Sequence, residues 1–100
     1  MERIGTNRAR QVIHDKVESQ IKIAQAKLEA LKAKAESAKA KAELKTIADL
    51  LTKKLAIDRK LYELKTSSEA TFEQAKVDVE SRVADLEKSV QAIEAKLKAA

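Results

Sequence analysis

Apolar residues recur along this chain at steps of three and four: Ile13, Val17, Ile21, Ala24, Leu28, Leu31, Ala35, Ala38 and Ala42. That spacing is one buried face of an α-helix. After Ala42 the phase slips by one residue. The stripe resumes at Leu50 and Ile57, then Leu61, Leu64, Phe72, Ala75 and Val79, and ends at Leu97. Three polar slots fill its gaps: Thr46, Lys54 and Ser68. From Leu61 to Val90 the steps follow an eleven-residue repeat, whose period of about 3.67 per turn demands no left-handed supercoil. Nearly straight helices packed side by side are expected.

Nothing between Thr6 and Ala100 breaks a helix strongly. There is no proline, and the one glycine is Gly5. Ala, Leu, Lys, Glu and Gln dominate, and these lose little side-chain entropy in a helix. The best place to turn is Thr66-Ser67-Ser68. Thr66 and Glu69 have capping-box spacing, and three hydroxyl residues compete with helical backbone bonds. A weaker break lies at Thr46, with Asp49 three residues on. Thr6 or Asn7 can cap a helix beginning near Arg8. The expected organisation is one all-α domain: a flexible cap over 1–7, a long basic helix over 8–65, a turn at 66–68 and a mildly acidic helix over 69–100.

A hairpin centred on 66–67 sets Lys39 near Glu94. It also ends opposite about residue 33, leaving residues 8–32 to project roughly 35–40 Å. The overhang would expose Ile13, Val17, Ile21, Leu28 and Leu31, and an apolar stripe of that size marks an interaction surface. The expectation is therefore a helical hairpin or coiled coil that assembles into an intermolecular bundle. A homo-oligomer is expected, with an antiparallel dimer favoured, or else a helical protein partner.

In period and composition the chain resembles apolipoproteins, desiccation-protectant proteins and granule-coat proteins. It is richer in Leu, Ile and Val than the desiccation type, which favours a folded protein.

Charge sharpens this picture. The net charge is +5. Residues 1–60 hold 15 Lys and Arg against 8 Asp and Glu, while 61–100 hold 6 against 8. Lys27, Lys32, Lys34, Lys39 and Lys41 form a dense basic run suited to anions such as phosphates. Glu29, Glu36 and Glu43 interrupt it and are placed to pair with lysines along the helix. No aromatic platform accompanies the lysines, so a basic module for nucleic acid, an anionic membrane or a granule surface is the alternative to an adaptor, not the first reading.

Candidate chemistry is sparse. Absence of cysteine removes disulfides, thiolate metal sites and thiol nucleophiles. His14 is the single histidine; Asp15 and Glu18 beside it make a weak metal set, and a surface histidine is expected. Small all-helical chorismate mutases have a similar size, and Arg59, Lys60 and Arg82 are the residues such a site would recruit, yet Lys54 is the one charge in the stripe. Tyr62 and Phe72 are expected to close the hairpin end together. The reading is a non-enzymatic protein with no cofactor and no metal. No stretch approaches the roughly 20 apolar residues of a membrane span, and the N-terminus lacks the apolar run of a signal peptide, so a cytoplasmic location is expected.

Overall fold

Three helices, not two, carry the stripe. A computed structural model describes the backbone of residues 2–99 and the side chains of residues 8–98. Helix α1 spans Glu2–Ser37, α2 Lys41–Thr66 and α3 Glu69–Ala99. The molecule is an all-α bundle, 55 Å long and about 16 by 15 Å across. Because α1 begins at Glu2, it runs through Thr6 and Asn7, and neither starts a helix at Arg8. Met1 and Ala100, the outer ends of the expected cap and last helix, lie outside the described residues.

The expected helix over 8–65 is interrupted at 38–40. Lys39 adopts a left-handed conformation with φ of 55°. Its N–H donates to the Glu36 carbonyl at 3.1 Å, and the Ala40 N–H donates to the Ala35 carbonyl at 2.9 Å. These are the paired bonds of a Schellman motif, with Lys39 where glycine is usual. Ala35 is buried and Ala40 packs on the same core, supplying the apolar contact that accompanies such a cap. The chain then reverses at once. The Lys41 N–H donates to the Lys39 carbonyl at 3.1 Å across Ala40, whose φ of −84° and ψ of 79° form an inverse γ-turn. The Leu44 N–H to the Ala40 carbonyl at 3.0 Å opens α2.

Magnitudes explain why the chain breaks among alanines, the best helix formers. A left-handed non-glycine residue costs roughly 1–2 kcal/mol. Each Val, Leu or Ile taken from water contributes roughly 1.5–3 kcal/mol. Reversal covers Val17, Ile21, Leu28 and Leu31 together, so burial outweighs the strained residue several-fold. The small side chains at Ala35 and Ala40 let α1 and α2 approach at the turn. Thr46 is no boundary: its hydroxyl donates to the Ala42 carbonyl at 3.1 Å inside α2.

The stripe expected to form an association interface is therefore the inside of the bundle. Val17, Ile21, Leu28 and Leu31 are buried, and Ile13 is partly buried against the same cluster. The expected overhang does not exist, and the antiparallel dimer argued from it loses its basis. From α2 the core takes Ile47, Leu50, Ile57, Leu61 and Leu64. From α3 it takes Phe72, Val79, Val83, Leu86, Val90 and Ile93, with Leu97 at the end.

The second turn leaves α2 at Thr66 and enters α3 at Glu69. Ser67 is extended, with φ of −68° and ψ of 149°. The hydroxyls of Thr66 and Ser67 donate back to the carbonyls of Glu63 and Leu64 at 3.1 and 2.9 Å. They satisfy the end of α2 and do not cap α3, so the Thr66–Glu69 capping box is not formed. The residue at the start of α3 is Ser68, whose carbonyl accepts from Thr71 and Phe72 and whose hydroxyl lies 3.0 Å from that of Thr71. Arg10 of α1 fastens this turn. Its guanidinium donates to the Ser67 carbonyl at 2.7 Å and sits 4.5 Å above the Phe72 ring. A cation over an aromatic face contributes about 0.5–2 kcal/mol.

Two tight turns make an up-down-up bundle. Residues 14–25 of α1 face residues 54–62 of α2 running the other way, and residues 50–57 of α2 face 82–89 of α3. Helices α1 and α3 run parallel, with Lys27 Nζ 4.0 Å from Glu94 Oε1. Glu94 thus meets Lys27, and Lys39, its expected neighbour, occupies the first turn.

Replacing Lys39 with glycine removes the steric cost of the left-handed backbone. The expected result is a gain of about 1 kcal/mol in unfolding free energy, measured by chemical denaturation. A loss of stability would show that the turn is not left-handed at this residue.

Candidate functional site

The clefts of the bundle are shallow and lie between helix pairs. The larger, about 330 Å³, lies between α1 and α2. Ile21 and Leu61 form its apolar base, and His14, Glu18, Lys22, Lys54, Asp58 and Tyr62 line its sides. His14 is not a surface residue: only 9% of it is exposed. It precedes Val17 by three and Ile21 by seven, so it shares their face as closely as Ile13 does. The helical spacing carried that signal, but the polar side chain masked it. Its Nδ1 lies 3.5 Å from Asp15 Oδ1 and 3.6 Å from Glu18 Oε2, the second too long for a hydrogen bond.

Lys54 fills a stripe position, and its ammonium emerges into the cleft to meet Asp58 Oδ2 at 2.7 Å. Long aliphatic stems allow this compromise between burial and hydration. On the facing helix, Lys22 Nζ is 3.0 Å from Glu18 Oε1. The hydrogen bond from Lys22 and its positive charge hold the Glu18 carboxyl below its ordinary range. The cleft's charges are thus matched within each helix, one turn apart. No ion pair among the described residues joins the two sides of the cleft. Among the described residues no group of three or more His, Asp or Glu is placed to hold a metal ion.

Phe72 and Tyr62 do not close the hairpin end together. Phe72 is buried beneath Arg10, whereas Tyr62 is 67% exposed at the rim of the α1–α2 cleft. Arg59, Lys60 and Arg82 are not assembled into a site either. Arg82 Nε is held 3.2 Å from both oxygens of Asp78 and borders a second cleft of about 220 Å³ with Leu50, Lys53, Ile57 and Asp85. Lys60 pairs with Glu63 at 3.9 Å on its own helix.

The basic run is rearranged by the first turn. Lys32 and Lys34 project from the end of α1, Lys39 is the left-handed residue itself, and Lys41 and Lys45 open α2; all are exposed. Helix α3 runs parallel to α1 and carries Lys96 and Lys98 in its last turn, toward the same end. The result is a lysine-rich pole. Lys27 lies apart, in the α1–α3 seam with Glu94. The expected pairs with Glu29, Glu36 and Glu43 are not among the ion pairs of the described residues; Glu29 instead accepts from Gln25 Nε2 at 3.3 Å.

Among the described residues no helix is long and apolar enough to cross a membrane. Comparison with known protein families, curated proteins and solved structures gives no match.

The Glu18–Lys22 pair generates a pH expectation. A carboxyl whose folded pKa is lowered contributes stability above its ordinary value, and loses it as pH falls through the lowered one. Thermal melting is expected to drop slightly more steeply between about pH 5 and pH 3 in the native chain than in a Glu18→Gln variant. Identical profiles would show that the pair contributes nothing, as many exposed pairs do.

Proposed function

We propose that the chain is a non-enzymatic structural or adaptor protein, a rigid three-helix rod that acts by helix-to-helix association or by binding a partner. The observation that supports this is the division of its side chains. The large apolar residues of the stripe are spent on the chain's own core. In the α1–α2 cleft, Lys22 and Lys54 are neutralised one turn away on the same helix. What the rod offers to other molecules is its exterior, where charge is sorted into a lysine pole and acidic rows on α3. Photocrosslinking residues introduced in cells at Lys34, Lys41 and Ile23 are expected to yield discrete adducts. Absence of adducts from all three positions would overturn the adaptor reading.

A second reading has its own support. Lys32, Lys34, Lys39 and Lys41 stand at one pole with no carboxylate partner among the described ion pairs, as a surface for phosphates requires. The pole would take nucleic acid or an anionic membrane or granule surface by charge alone. Phosphate contact by about four lysines predicts binding to duplex DNA whose log affinity falls with log salt at a slope near −3.6. Lys34→Glu with Lys41→Glu should flatten that slope and weaken binding. Affinity unchanged by salt and by the substitutions would exclude the reading.

A further inference from the structure

We infer that the α1–α3 face docks a second copy of this chain, in parallel, with α1 of each copy against α3 of the other. This rests on the adaptor reading and names its partner. The face begins at the seam where Gln20, Ile23 and Lys27 meet Glu87, Val90 and Gln91. Outside that seam lie large apolar side chains that the core does not use. Ile23 is 57% exposed, and Val12, three helical turns earlier on the same side, is 66% exposed. On α3, Val77 is 61% exposed, and Ala84, seven residues on, is exposed too. Ala30 and Ala95 continue the two rows and leave room for close approach. Buried core residues and this outer face together give both helices two apolar sides.

Charge selects the occupant. Beside its apolar positions, α1 carries a lysine row, Lys16 and Lys27. Helix α3 carries a glutamate row, Glu80, Glu87 and Glu94, each half-buried. One face therefore presents both signs, side by side, and is complementary to itself. A twofold axis parallel to the helices keeps every residue at its own height while exchanging α1 for α3. The Lys27–Glu94 pair sets those heights. Lys27 of one copy then stands level with Glu94 of the other, Lys16 within a turn of Glu80, and Val12 within a turn of Val77. An antiparallel arrangement lays α1 on α1 and opposes lysine with lysine, which is unfavourable. The overlap, residues 12–30, is about 27 Å long and about 20 Å wide, on the order of 500 Å² per copy. That is at the low end for specific association, so a reversible, salt-sensitive dimer of micromolar strength is expected.

Sedimentation equilibrium tests this. The native chain should move from monomer to dimer mass across the micromolar range at low salt, with the midpoint rising as salt is added. A Lys16→Glu/Lys27→Glu variant and a Glu80→Lys/Glu94→Lys variant should each remain monomeric alone, since each opposes like charges. Mixed in equal amounts they should recover the dimer, because every charged row again meets its opposite. Should a charge reversal unfold the chain by circular dichroism, single cysteines decide instead: Lys16→Cys mixed with Glu80→Cys should give the mixed disulfide in excess over either like pair. A native chain that stays monomeric, a mixture that recovers nothing, or a disulfide excess between like cysteines overturns the docking. Such failure leaves the adaptor reading to the cellular crosslinks, which test partners of any kind.

Discussion

The reversal at Ala38–Ala40 is the constraint on which the rest of the molecule depends. One residue, Lys39, accepts a left-handed backbone, and in return α1 lies against α2 along most of its length. Without that turn the residues from Ile13 to Leu31 would lack a cover, since α3, 31 residues long, cannot flank one helix running the combined length of α1 and α2. With it, all three helices share one cluster from Val17 to Leu97. The local bonds around Ala35 and Ala40 satisfy the end of α1, but they do not drive the reversal. The apolar surface removed from water does, at several times the cost of one strained residue.

The other end is closed by different chemistry. Hydroxyls of Thr66 and Ser67 take up the last carbonyls of α2, and Arg10 reaches from α1 to the Ser67 carbonyl and the Phe72 ring. This polar clasp ties the first helix to the junction of the other two. Elsewhere most of the described ion pairs are local, three or four residues apart, and Lys27–Glu94 is the one between helices. Packing thus sets the tertiary arrangement, and charge decorates it. Exposed pairs contribute little to stability, which leaves surface charge free to organise association.

That organisation follows from the fold more than from the composition. Folding gathers Lys32, Lys34, Lys39 and Lys41 at a pole, where an extended helix would have strung them along its length. It also lays the lysine row of α1 beside the glutamate row of α3. The α1–α2 cleft, by contrast, holds His14 and four charged residues whose partners are already supplied within each helix.

Helicity and most of the buried positions were legible in the chain itself. Periodicity of three and four marks a face whatever covers it, and most of the stripe from Val17 to Leu97 is the core; Ala38, Ala42, Thr46 and Ser68 are exposed, and Ile47, off the stripe, is buried. The serines at 67 and 68 announced a turn through hydroxyls that compete locally for backbone carbonyls. The turn at Lys39 carried no such mark, because Ala38, Lys39 and Ala40 are all good helix formers; its trace was the phase slip after Ala42. Local propensity there favours a helix by a few tenths of a kcal/mol per residue, and only the summed burial of distant side chains reverses the preference. The same holds for His14, whose place on the stripe is set by spacing but whose burial needs Leu61 opposite it. What covers the stripe, a second copy or the chain's own second helix, depends on contacts between residues far apart in sequence, and the tertiary structure alone decided it.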